Sequence, residues 1–207
     1  MKKIDLAVWD RRPQFELFSK MAVQQYSVTF PLDVTHLKTY ARAHGISFYL
    51  ALTYLVTETM NGIENFRYKI HRGEVWLAEK RHPSFTDMKP GSDLFHITTL
   101  RLEGPLDDFC RRAQARSAAQ EEFMSPTDIA PDEMVYISCL PWLELSALRG
   151  EHDNDPDDAT PRATWGRYVE FDGRLRLNMA VEVNHRLVDG VHIGRFAQAL
   201  QRAIDTL

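Results

Sequence analysis

Residues 174–204 constrain the fold more than any other stretch, because one periodicity gives way to another within them. Leu177, Met179, Val181 and Val183 alternate with other residues as in a strand. Beyond Gly190, the apolar positions Val191, Ile193, Phe196, Ala197, Leu200, Ala203 and Ile204 fall mostly at helical spacing. A strand must therefore end, turn and restart as a helix across Asn184-His185-Arg186-Leu187-Val188-Asp189-Gly190. His185 sits at that junction. An imidazole titrates near neutrality, so one held at a strand end is a candidate general base. Its plainer alternative is a packed histidine beside a turn, with Asp189 as the N-cap of the last helix.

The rest of the composition narrows the possibilities. The chain has 207 residues, 44% of them apolar and 26% charged, with a formal charge of −4. This length suits one domain spanning residues 1–207, with no repeat or low-complexity linker to divide it. Because no Lys/Arg run exceeds two residues, nucleic acid is not an expected partner. The start, Met1-Lys2-Lys3-Ile4-Asp5, is not followed by an apolar core of signal-peptide length, and no apolar run is long enough to span a bilayer. The expected location is the cytoplasm, with no membrane partner. Cys110 and Cys139 do not form a close metal-ligand pair and are expected to be reduced thiols.

Along the chain, Pro13 suits the first turn of a short helix carrying Phe15, Leu17, Phe18 and Met21. Apolar residues at every second position from Tyr26 to Val34 predict a strand, and Pro31 places it at an edge or bulge. Helices are expected from about Thr35 to Gly45 and from Ser47 to about Met60, the second mostly buried. Phe66–Ile70 and Val75–Ala78 read as a hairpin, Leu94–Leu102 as a strand and Gly104–Phe123 as an amphipathic helix. Met134–Leu140 reads as a buried strand ended by Pro141-Trp142, and 150–158 as an irregular acidic loop. A last hairpin joins Arg162–Phe171 to Arg174–Val183 across Asp172-Gly173. Strands interspersed with helices and partly joined by hairpins predict an α/β sandwich of two layers with a mixed sheet.

Four segments, Trp9-Asp10-Arg11-Arg12-Pro13-Gln14-Phe15-Glu16, Ile137-Ser138-Cys139-Leu140-Pro141-Trp142, Thr164-Trp165-Gly166-Arg167-Tyr168 and the His185 motif, occur in one order. Together they resemble the type-A chloramphenicol acetyltransferases, with further similarity at Glu64-Asn65-Phe66-Arg67 and His82-Pro83-Ser84-Phe85-Thr86. The resemblance implies that family's fold, with a mixed and mostly antiparallel sheet. It also implies acetyl-CoA as co-substrate and a small hydroxyl acceptor. His185 matches the family's general base, Ser138 the donor to the tetrahedral oxyanion, and Thr164 the threonine that holds a water there. Asp189 and Arg11 match a structural ion pair. Trp142, Arg167 and Tyr168 match positions beside the CoA channel, although Trp142 by type alone belongs in a core. Phe18 and Phe95 match apolar acceptor-pocket positions, and Gln24 stands where a small residue is common. His192 also matches a family histidine, and its spacing from His185 and Asp189 across a turn is poor metal geometry.

The resemblance further implies a homotrimer, with His185 of one chain facing the acceptor pocket of its neighbour. Remoteness of Phe18 and Phe95 from the last motif along the sequence agrees with this. Asn184-His185-Arg186 is also similar to the motif of dihydrolipoamide acyltransferase cores, a second enzymatic reading. A third is a non-catalytic trimer that binds an acyl-CoA or another ligand; retention of all five residues His185, Ser138, Thr164, Arg11 and Asp189 favours an enzyme. Asp157-Asp158-Ala159-Thr160 stands before Pro161 where the family carries aromatic and aliphatic residues, which predicts a pocket less suited to a nonpolar acceptor.

Overall fold

The computed structural model describes residues 1–152 and 155–207. Asp153 and Asn154, within the expected acidic loop, lie outside the described residues, and the remainder of 150–158 contains neither helix nor strand.

Among the described residues the main sheet has seven strands. They are β2 (Gln25–Asp33), β5 (His82–Met88), β6 (Phe95–Thr99), β7 (Met134–Leu140), β8 (Arg162–Gly166), β9 (Val169–Phe171) and β10 (Arg174–Asn184). Their order is β2-β10-β8-β7-β5-β6, with β9 also paired to β10. Pairings β5–β7 and β7–β8 are parallel and the others antiparallel, so the sheet is mixed as expected. β2 lies at an edge, where Pro31 leaves no central ladder position without its N–H donor. A smaller sheet, β1-β4-β3, combines β1 (Lys2–Lys3) with the hairpin of β3 (Tyr68–His71) and β4 (Glu74–Leu77).

The helices are α1 (Arg12–Phe18), α2 (Thr35–His44), α3 (Phe48–Asn61), the single turn α4 (Glu64–Arg67), α5 (Leu106–Ala119) and α6 (Gly190–Asp205). The apolar α3 is central: it packs on α2, α5 and α6 and also meets β5 and β7. α6 buries Ile193, Phe196, Leu200 and Ile204, a single stripe at helical spacing that faces the core. Sheet alternation does the rest. Val135, Ile137, Ala163, Trp165, Met179 and Val181 join the helix-packed core, while Ser138 and Thr164 occupy the other parity. No helix among the described residues is long and apolar enough to cross a membrane.

Several boundaries differ from expectation. Phe66 belongs to the α4 turn, and strand β3 begins only at Tyr68. The predicted helix 104–123 is shorter because Gln120 turns out of it and its amide donates to the carbonyls of Ile97 and Glu122. The predicted strand 162–171 breaks at Arg167-Tyr168 into β8 and β9. β5 was not expected as a strand, since Pro83 and a run of hydroxyl and charged residues mask its alternation. Both predicted hairpin turns are present. At Asp172 and Gly173 φ is 54° and 71°, a left-handed pair whose twist matches that of the flanking strands.

Arg81 joins the two sheets. It is fully buried, and its guanidinium donates to the carbonyls of Phe66, Tyr68 (2.6 Å), Met134 (2.9 Å) and Asp132 (3.1 Å). One buried cation thus satisfies carbonyls of α4 and β3 on one side and of the start of β7 on the other.

Candidate active site

The end of β10 delivers His185, and its surroundings come from distant parts of the sequence. Its backbone N–H donates to the Gln24 carbonyl (2.8 Å), extending the β2–β10 ladder by one step. Phe18, from the end of α1, stacks on the ring with centroids 3.8 Å apart and planes 26° from parallel. Tyr26, opposite Val183 on β2, also meets the His185 ring, with centroids 4.4 Å apart and planes tilted by 46°. Phe18, remote in sequence, is therefore adjacent to His185 within one chain.

Arg11 locks this corner. It donates to the His185 carbonyl (3.0 Å), the Arg186 carbonyl (2.9 Å) and Asp189 Oδ1 (2.6 Å), with a second bond to Asp189 Oδ2. This bidentate fork holds both sides of the strand-to-helix turn. Asp189 also caps α6, and its own N–H donates to His192 Nδ1 (2.9 Å). His185 Nε2 lies 3.6 Å from Asp189 Oδ1, beyond hydrogen-bond distance, so Asp189 is bonded to Arg11 and not to the imidazole. Among the described residues no group of three or more His, Cys, Asp and Glu is arranged to hold a metal.

The electrostatics favour a neutral imidazole. Burial lowers the His185 pKa below its ordinary value; Arg11 adds to this and Asp189 opposes it. Arg11 hydrogen bonding holds the Asp189 carboxyl below the usual carboxylate range. Tyr26, which sequence reasoning missed as a neighbour of His185, is pushed up to about 12 by burial and by Asp189, and its hydroxyl donates to the Val188 carbonyl (3.3 Å). Alternation within β2 does not reveal this neighbour; the β2–β10 register, which pairs Tyr26 with Val183, does.

Ser138 and Thr164 are in-register partners on the parallel strands β7 and β8, both half-buried on the face away from the helices. Thr164 in turn pairs with Ala180 on β10. Two strand spacings across and the length of β10 from Ala180 to His185 separate Ser138 from His185 by about 20 Å within one chain. The fold thus does not bring this pair together in a single subunit.

Trp142, Arg167 and Tyr168 follow the C-terminal ends of β7 and β8. β10 runs antiparallel to β8, so these residues stand at the opposite end of the sheet from His185. Gly166 makes their proximity possible. A Cβ there would lie 2.5 Å from the Leu143 carbonyl oxygen and 2.8 Å from the Leu145 nitrogen, and Arg167 N–H donates to that same carbonyl (2.8 Å). Trp142 is 65% exposed, which corrects the expectation of a core tryptophan. Tyr168 packs on Phe48, with the Lys38 ammonium 5.1 Å from its ring; Arg167 is exposed.

Phe95 lies on β6 at the far edge of the sheet, half exposed and packed on Phe123. Four strand spacings, about 19 Å, separate its strand from β10. Gln24 is half-buried near His185, its side-chain amide donating to the Met21 carbonyl (2.6 Å). The carboxylates expected to line an acceptor pocket have partners within the chain. Asp157 accepts from Gly73 N–H (3.1 Å), and Asp158 accepts from Arg162 (2.8 Å) and pairs with His152 (3.0 Å). His152 also bridges to Glu182, a buried residue of β10, which fastens this acidic stretch to the sheet.

Comparison with known proteins bears on family and fold. A protein-family model described as chloramphenicol acetyltransferase matches residues 1–201. Chloramphenicol acetyltransferase 2 of Escherichia coli is 27% identical over 207 residues, covering 99% of this chain and 97% of that protein. A chloramphenicol acetyltransferase of Clostridium perfringens is 25% identical, with 99% of each covered. Among solved structures, a chloramphenicol acetyltransferase superposes with a TM-score of 0.88 at 24% identity, covering 99% of this chain and 100% of that one. A probable dihydrolipoamide acetyltransferase from Listeria monocytogenes shares the fold at a TM-score of 0.67 and 15% identity, covering 100% of this chain and 95% of that one. With a family model matched almost end to end and that family's fold in place, the chain belongs to the chloramphenicol acetyltransferase family.

Proposed function

We propose that this protein is an acetyl-CoA-dependent O-acetyltransferase acting on a hydroxyl of chloramphenicol or a related small acceptor. Residues 1–207 serve as one domain, and three copies assemble so that each active site lies between two of them. The observation that carries this reading is the separation of His185 from Ser138 by about 20 Å in one chain. A family whose chemistry uses both at one centre requires a second chain to unite them.

His185, uncharged because burial lowers its pKa, takes the proton of the acceptor hydroxyl as the oxygen attacks the thioester carbonyl. Ser138 donates to the resulting oxyanion, and Thr164 on the adjacent strand holds a water beside it. Collapse breaks the carbon–sulfur bond, and the His185 imidazolium returns its proton to the departing thiolate. Arg11 and Asp189 keep the turn rigid and take no part in proton transfer. Trp142, Arg167 and Tyr168 serve the CoA end, where an aromatic face and a cation suit adenine and phosphate.

Phe18 and Gln24 line the acceptor side next to the base, and Phe95 is supplied by the neighbouring chain. The apolar exposure on both sides supports that assembly: Leu17, Met21 and Val23 near His185, and Leu94, Phe123 and Met124 near Phe95. Unpaired Cys110 and Cys139 fit a reducing compartment, the cytoplasm.

Thiol release from acetyl-CoA, followed with and without chloramphenicol in wild type and His185→Ala, tests the reading. Acceptor-dependent release should fall by ~10²–10⁴ in the variant. Equal turnover in the two proteins would remove His185 from this role.

A further inference from the structure

A hydroxyl not assigned to the site touches Ser138. Thr86 Oγ1 lies 3.1 Å from Ser138 Oγ, and proton placement allows either oxygen to be the donor. Thr86 is on β5, the parallel neighbour of β7 on the side away from Thr164, so three hydroxyls form one row across β8, β7 and β5.

The strand is held firmly at this residue. Tyr49, on α3, donates its hydroxyl to the Thr86 carbonyl (2.8 Å). The next residue, Asp87, accepts from Ser117 of α5 (2.6 Å), and Ser117 is hydrogen-bonded to His96 of β6 (2.8 Å). Three elements thus fix the backbone that carries the Thr86 hydroxyl.

We infer that Thr86 is a positioning residue for the transfer reaction, donating its proton to Ser138 Oγ so that the serine proton points at the oxyanion. The inference rests on the proposed function. Ser138 has one proton. If Ser138 gave it to Thr86, the oxyanion would receive nothing from that side chain; if Thr86 is the donor, the serine proton is free. A hydroxyl that accepts a hydrogen bond is also polarised toward stronger donation. No bond is made or broken at Thr86, which meets neither substrate and acts only through Ser138.

The test is a double-mutant cycle read in kcat and KM. Thr86→Val keeps the side-chain shape and removes the hydroxyl; it should lower kcat about three- to tenfold, with KM for acetyl-CoA and acceptor unchanged. Thr86→Ser should restore most of the loss. In a Ser138→Ala background, Thr86→Val should have no further effect, because the residue through which it acts is gone. Full kcat for Thr86→Val beside an impaired Ser138→Ala would overturn the role of Thr86 and leave the proposed function standing. Equal additive losses in both backgrounds, or no rescue by serine, would assign Thr86 to folding alone. An inactive wild type, or Ser138→Ala at full activity, would overturn the proposed site and this inference with it.

Discussion

Phe18 stacks on the His185 ring at 3.8 Å and contributes to the burial of the imidazole. Burial is the largest cause of the lowered pKa. In the proposed role of general base His185 must be neutral, so activity should be lost as pH falls through that lowered value and retained above it. The acid limb of kcat/KM should therefore have its midpoint below the ordinary histidine value of about 6.5. Phe18→Ala hydrates the ring and should move that midpoint up; Asp189→Asn removes the charge that opposes burial and should move it down. A wild-type midpoint above 7, or identical limbs in all three proteins, contradicts this.

Arg11 and Asp189 make a stability prediction with a defined pH dependence. Arg11→Leu strands a partly buried carboxylate and the carbonyls of His185 and Arg186. The cost should be about 2–4 kcal/mol, less than for a fully buried pair because Asp189 is partly exposed. Asp189 has a depressed pKa in the folded state. Its contribution is therefore complete above the unfolded carboxylate value of about 3.9 and disappears as pH falls through the folded value. Urea melts between pH 3 and 6 should show a shallower acid loss of stability in Arg11→Leu than in wild type. Parallel curves would contradict the assignment.

Gly166 should tolerate no side chain. Its Cβ would meet backbone atoms, which cannot rotate away as a flexible side chain can. Gly166→Ala should cost about 1–3 kcal/mol and shift the segment carrying Trp142. KM for acetyl-CoA should rise more than KM for the acceptor. An unchanged melting temperature with an unchanged KM for acetyl-CoA would show that the close crossing of 143–145 over β8 has no such function.

Much of this architecture was legible in the amino-acid order where periodicity is strong. The β10-to-α6 junction, the helices α2 and α3 and the Asp172-Gly173 turn all lie where spacing and caps place them. β5 was hidden because one of its faces is polar and it carries Pro83, so its burial comes from neighbours distant in the sequence. The motif residues named His185, Arg11 and Asp189, and the fork between them is present. Sequence separation misjudged Phe18, which folding stacks on His185. The reverse holds for Ser138 and His185: joined by resemblance, they are kept far apart in the chain by strand order. Tyr26 and Thr86 carried no chemistry of their own to single them out, and only pairing between strands reveals their neighbours.

The central claim is that His185 of one subunit works with Ser138 of another. Co-expression of His185→Ala and Ser138→Ala chains, followed by thiol-release assays on the mixed trimers, tests it most directly. Random mixing of a cyclic trimer should restore about a quarter of wild-type turnover, the share of sites that pair an intact His185 with an intact Ser138. Activity no higher than the average of the two single variants would show that the two residues do not meet across a subunit boundary.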